Sequence, residues 1–172
     1  MKNSRRMTVG AVTLALVLAG ATATLAHGND RGVAKATIGK AQVTIDYGQP
    51  TLKGRDMLKM IHPGQVWRLG SDAATTIESN MDLDFGGTRV PKGKHILLAR
   101  LVEAGKWMLV VSSKSAMQYD SSAKIAEVPM EFSESSDPVE ELTIKLSNEG
   151  GRGVIEVAWG SLRLTASFAP AK

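Results

Sequence analysis

The sequence predicts an all-β fold, an antiparallel β-sandwich, on three observations. Apolar and polar residues alternate with a period of two along most of the chain. Gly-, Pro- and Asn-containing turn signals separate the alternating runs. No run carries a sustained helical period; a single turn's worth lies between Arg55 and Ile61. Jelly-roll and immunoglobulin-like topologies both fit this pattern.

The elements follow in order. Val43, Ile45 and Tyr47 alternate with Gln42, Thr44 and Asp46. Met81, Leu83 and Phe85 alternate with Asp82 and Asp84 up to the turn pair Gly86-Gly87. His95 to Val102 and Trp107 to Ser112 are apolar runs joined across Glu103-Ala104-Gly105-Lys106, a hairpin connection. Ala126, Val128, Met130 and Phe132 share one face, and Pro129, which has no N–H to give a ladder, argues for an edge strand. Ser133 to Pro138 reads as a polar loop. Leu142, Ile144 and Leu146 lead into the turn Asn148-Glu149-Gly150-Gly151. Ile155, Val157 and Trp159 form the next set, and Leu162, Leu164, Ala166 and Phe168 the last. The total is roughly eight or nine short strands, without an internal repeat.

Met1 to Ala26 reads as a signal peptide. Lys2, Arg5 and Arg6 give a basic start, Met7 to Ala26 holds no charge, and Ala21-Thr22-Ala23 or Thr24-Leu25-Ala26 offers a small-residue cleavage site. The rival reading is a retained anchor, but the strongly apolar part runs only from Val9 to Leu18, too short to span a bilayer as a helix. The expected location is periplasmic or secreted, with no stable membrane insertion after cleavage. Residues 27–33 read as a flexible leader, and residues 34–172 as one domain. The domain has no cysteine, so disulfides, thiolate metal sites and cysteine catalysis are excluded, and its core alone must hold it.

Removing the signal also changes the charge argument. The full chain carries 21 basic and 17 acidic residues; three of the basic ones lie in the signal, leaving 18 against 17. A nearly neutral chain with interspersed charges gives no case for nucleic acid.

The segment from Tyr47 to Thr76 breaks the strand-and-turn pattern and concentrates Gly, Pro, Arg, Trp and Thr. Tyr47 with Pro50, Lys53-Gly54-Arg55, Pro63-Gly64 leading into Val66-Trp67-Arg68, Gly70 and Ala74-Thr75-Thr76 resemble the bacterial family known as domain of unknown function 2911. Gly86-Gly87, Pro91, Gly93, Trp107, Tyr119, Val139-Glu140 and Trp159 continue the resemblance, from about Ala34 to Phe168. The resemblance implies a secreted, mainly β domain and brings no activity, substrate or cofactor. The chain departs from the family pattern at Leu58-Lys59, Ser71-Asp72 and His95.

Arg55, Trp67, Arg68, Asp72 and Thr75 are the candidate ligand-binding residues. Arginine forks and hydroxyls around an indole suit a carboxylate or sugar. The competing reading buries Trp67 in the core, pairs Arg68 with Asp72 and ties the hydroxyls to backbone. A copper site is a weaker alternative, built on His27 at a new N-terminus, His62, His95 and the M-x-x-M-x-H spacing of Met57, Met60 and His62. The resembling family places aliphatic residues near Met57, Ile61 and His62, which implies packing there. No G-x-S-x-G elbow occurs, and Asp82, Asp84, Glu140 and Glu141 sit where solvated faces are expected. The expectation is therefore an exported, non-catalytic binding or interaction module without a cofactor, whose partner is a small molecule, a saccharide or an envelope protein. An envelope enzyme acting on a small or saccharide substrate is the alternative.

Overall fold

The structure is a computed structural model that describes residues 30–172. The signal peptide and His27 lie outside the described residues. Ten strands are present: β1 (Arg31–Ile38), β2 (Ala41–Gly48), β3 (Val66–Trp67), β4 (Thr76–Ser79), β5 (Leu83–Phe85), β6 (Thr88–Val90), β7 (Gly93–Glu103), β8 (Lys106–Ser112), β9 (Lys124–Glu149) and β10 (Arg152–Pro170). All pairings are antiparallel, in the order β1-β2-β4-β7-β8-β9-β10-β5-β6, with β3 added beside β7. The ladder is open, and it doubles back so that β1 lies against β9 as well as beside β2. The expected sandwich is thus one folded-over antiparallel sheet.

The alternating residues point into a common core, with Ile38, Ile45, Leu97, Leu109, Leu142, Ile155, Leu162 and Phe168 fully buried. Each such side chain contributes about 1.5–3 kcal/mol on leaving water, which is how a cysteine-free chain is held. Phe85 of β5 and Phe168 of β10 stack with ring centroids 5.0 Å apart and close this layer near the C-terminus.

Three expectations need correction. The first strand begins at Arg31, inside the stretch read as a leader, because Arg31 pairs with Asp46 and Gly32 packs directly under the Tyr47 ring. Ser133 to Pro138 is not a loop but part of β9. Glu134 pairs with Leu162 and Val139 with Gly160, so four residues of β9 bulge opposite the single Ser161. Ser135 and Asp137 satisfy the bulge locally, and Arg163 Nη2 donates to the Asp137 carbonyl at 2.6 Å.

Pro129 does not mark an edge strand, since β9 lies between β8 and β10. It sits where β9 is paired on one side only: residues up to Met130 pair with β8, and the ladder to β10 starts at Glu131. The missing N–H is therefore tolerated inside the order. The β9–β10 hairpin closes on Gly150-Gly151, both at positive φ (59° and 84°), with Asn148 Oδ1 accepting from the Gly151 N–H. Among the described residues no helix is long and apolar enough to cross a membrane.

Candidate functional site

The irregular segment between β2 and β4 is sewn onto β9 at its start and onto β7 further along. Thr51 bridges to Glu141, the Leu52 N–H donates to the Glu140 carbonyl at 2.9 Å, and the Leu142 N–H donates to the Pro50 carbonyl at 3.0 Å. The Lys53 N–H meets the Glu140 carboxylate at 2.7 Å. A 3-10 turn follows over Met57–Lys59, capped by Asp56, whose carboxylate accepts from the Leu58 N–H at 3.0 Å. The chain then reaches β7: Gly64 N–H donates to the Leu101 carbonyl, Leu101 N–H to the Gln65 carbonyl, and β3 pairs with Ala99 and Arg100.

This path places Trp67 between the two other tryptophans. Its ring stacks on Trp159 of β10 at 5.9 Å and 9°, and meets Trp107 of β8 edge-on at 6.3 Å and 69°. Trp159 Nε1 donates to the Glu140 carbonyl at 3.3 Å, so the residue that anchors the segment also fixes the stack. Gly160, next to Trp159, has φ of 59°, and a Cβ there would stand 3.2 Å from Leu52 Cδ1. A glycine at this point gives β10 its turn without a side chain against the anchored segment.

Over the stack opens a cleft of about 640 Å³. Trp67 and Trp159 line it together with Pro50, Met57, Met60, Ile61 and Val66. Its polar lining comes from Arg55, Gln65, Arg68, Ser71 and Tyr119. Arg55 Nε donates to the Leu52 carbonyl at 2.8 Å and its Nη2 to the Thr51 carbonyl at 3.0 Å, which hold the guanidinium in place. Ala116 and Tyr119 arrive on the loop after β8. That loop is fixed by Lys114 Nζ on Asp120 at 2.8 Å and by Ser122 on the same carboxylate. The hydrogen bonds from Lys114 and Ser122 hold the Asp120 carboxyl well below its ordinary range, at about 2.

The loop from Arg68 to Thr75 carries unusual backbone. Leu69 and Asp72 have φ of 53° and 57°, a conformation that costs a non-glycine residue energy. Thr75 Oγ1, buried, donates to the Leu69 carbonyl at 2.8 Å and holds the loop closed. The Ser71 hydroxyl is shielded from solvent with no hydrogen-bond partner among the described residues.

The five candidate residues therefore divide. Arg55, Trp67 and Arg68 line the cleft. Asp72 and Thr75 do not: Thr75 is committed to Leu69, and the Asp72 carbonyl accepts from Arg68 Nη1 at 3.4 Å. Of the copper candidates, His27 lies outside the described residues. His62 is on the rim of a second, smaller cleft beside Trp107 and Phe132, and His95 on β7 has Nε2 at 2.7 Å from the Pro91 carbonyl. Met57 is buried in the core, and among the described residues no three His, Asp or Glu side chains gather as a metal-holding group. Sequence reasoning did not put Ser71, Tyr119 or Trp159 at the site. Tyr119 and Trp159 stood among the residues that carry the family resemblance, the one signal that could have raised them.

Fold and cleft together define a single β-sandwich with a basic, tryptophan-floored cleft. The chain belongs to the family described as protein of unknown function DUF2911, whose model matches residues 30–168. No curated protein and no solved structure matches the chain significantly.

Proposed function

We propose that this protein is a non-catalytic binding module whose small-molecule ligand sits in the cleft over Trp67 and Trp159. The observation that carries this reading is the chemistry of the cleft wall. Among the described residues lining it, the ionisable side chains are Arg55, Arg68 and Tyr119; it has no carboxylate and no imidazole. Carboxylates and imidazoles are the commonest groups for proton transfer near neutral pH, whereas recognition needs an apolar floor and a few fixed donors. The left-handed Leu69 and Asp72 and the unpartnered Ser71 hydroxyl support the same reading, because such costs are retained where geometry serves a site.

The three tryptophans of the chain all belong to this cluster, so their emission is a built-in reporter. Titration with 1-anilinonaphthalene-8-sulfonate should quench it saturably at one site. Ala116→Leu, which fills the cleft from the loop after β8 without adding an emitter, should abolish that quenching while leaving the unfolding midpoint near wild type. Equal quenching in the filled variant would remove the cleft as the site.

The module works outside the cytoplasm in this reading, supported by the basic start and the uncharged Met7 to Ala26 stretch. Mass spectrometry of the protein from the envelope fraction should find a chain beginning at Thr24 or His27. An intact Met1 in that fraction would overturn export by cleavage.

A further inference from the structure

Arg55 lines the cleft with its hydrogen bonding only partly used. Its Nε–H and one Nη2 hydrogen are spent on the Leu52 and Thr51 carbonyls. Both Nη1 hydrogens and the second hydrogen on Nη2 remain, and among the described residues none of them meets a protein acceptor. One hydrogen on each of Nη1 and Nη2 lies along the end-on edge of the guanidinium, the edge that matches the two oxygens of a carboxylate.

Two carboxylates near Arg55 along this segment, Asp56 and Glu140, have other partners. Asp56 caps the Leu58 N–H and pairs with Lys59 at 3.3 Å. Glu140 accepts from the Lys53 N–H. Neither forms an ion pair with Arg55. The guanidinium of the exposed Arg55 is thus anchored through Nε and Nη2 and keeps donors to spare, beside a cleft to which Arg68 adds a second positive charge and to whose lining no acidic side chain contributes. Positive groups in a cleft with apolar walls focus potential onto an incoming anion.

Resting on the binding reading above, we propose that the ligand is an organic oxyanion with a flat apolar body. Its carboxylate is received end-on by Arg55, and its body lies in the cleft that Trp67 and Trp159 line. A neutral sugar would offer the Arg55 fork hydroxyl acceptors but no charge to pair with it. Arg55 is then the specificity-determining residue, since lysine offers a point charge without the fork.

The test compares 2-naphthoate with 2-naphthalenemethanol, which keeps the ring and removes the charge, by tryptophan quenching on the full-length mature protein. Wild type should bind the naphthoate at least ~10-fold tighter, as a charge-assisted pair predicts. Arg55→Gln should bring the two probes to equal affinity, and Arg55→Lys should keep only part of the preference. Because Arg55 also braces Thr51 and Leu52, wild type supplies an independent reading: raising salt should weaken naphthoate and leave the alcohol unchanged. Equal, salt-independent binding of both probes to wild type would overturn the oxyanion assignment and leave the binding module standing. Binding of neither probe, or binding unaltered by Ala116→Leu, would overturn both.

Discussion

The indole rings of Trp67 and Trp159 lie 9° from parallel with centroids 5.9 Å apart, joining a two-residue strand to the middle of the long C-terminal one. Both rings are almost fully buried while lining the cleft. Truncating either leaves a hole beside the other, and loss of Trp67 also uncovers Trp107. Trp67→Ala and Trp159→Ala should each cost about 3–5 kcal/mol in urea unfolding, and Trp67→Phe clearly less. A loss under about 1 kcal/mol for both alanine variants would mean that the stack carries no packing role.

Gly160 tests the junction between β10 and the anchored segment. Gly160→Ala forces a side chain into left-handed backbone and against Leu52. A destabilisation of about 1–3 kcal/mol is expected. Tryptophan emission should shift to longer wavelength as Trp159 loses its Glu140 contact and admits water. An unshifted spectrum at reduced stability would separate backbone strain from any opening of the site.

Thr75 isolates the loop. Thr75→Val keeps the shape and removes the donor to the buried Leu69 carbonyl. The expected cost is about 1–3 kcal/mol, because the carbonyl is left without its partner. Probe affinity should fall with it, since Gly70 and Ser71 line the cleft from that loop. Unchanged affinity would show that the loop position does not depend on this bond.

The stability of the protein should fall in acid through identifiable groups. Burial pushes the Glu127 carboxyl up, but hydrogen bonds from Lys124 and Arg100 outweigh it and leave it below its ordinary 4.5. Asp120 lies at about 2. Both are lowered on folding, so their contribution is complete above the unfolded value and is lost as pH falls through the folded one. Denaturation midpoints should therefore drop between about pH 4.5 and 2. Glu127→Gln should flatten part of that drop, and Asp120→Asn should also slacken the loop that presents Tyr119. A midpoint as steep in Glu127→Gln as in wild type would exclude that carboxylate.

Much of the fold was legible because strands declare themselves locally. Val43, Ile45 and Tyr47 alternate, and all three are core. Arg55, Trp67 and Arg68 could be singled out because they stand in a stretch that fits neither a strand nor a short turn. What local pattern does not carry is the partner. Ser133 to Pro138 has loop composition and becomes a bulge only because β10 runs beside it. Trp159 ends an ordinary apolar set, and long-range backbone bonds to β9 and β7 bring the segment over it. Thr75 was credible as a ligand contact by type, yet its hydroxyl is used six residues back, on Leu69. Tyr119 lies on a loop that no period marks.

The open ladder also governs how the molecule meets its own copies. A sheet that stops short of closure leaves free edges, among them the two ends of the strand order, on which a second chain could add a strand. At one rim, β6 is three residues long and turns Thr88 and Arg89 to solvent, too little to nucleate such pairing. At the other, Asn148 from the β9–β10 hairpin has already taken the Thr37 carbonyl of β1, and Lys35 projects outward. Short length, a side-chain cap and an outward lysine are features that blunt strand addition, and they stand at the two ends of the strand order.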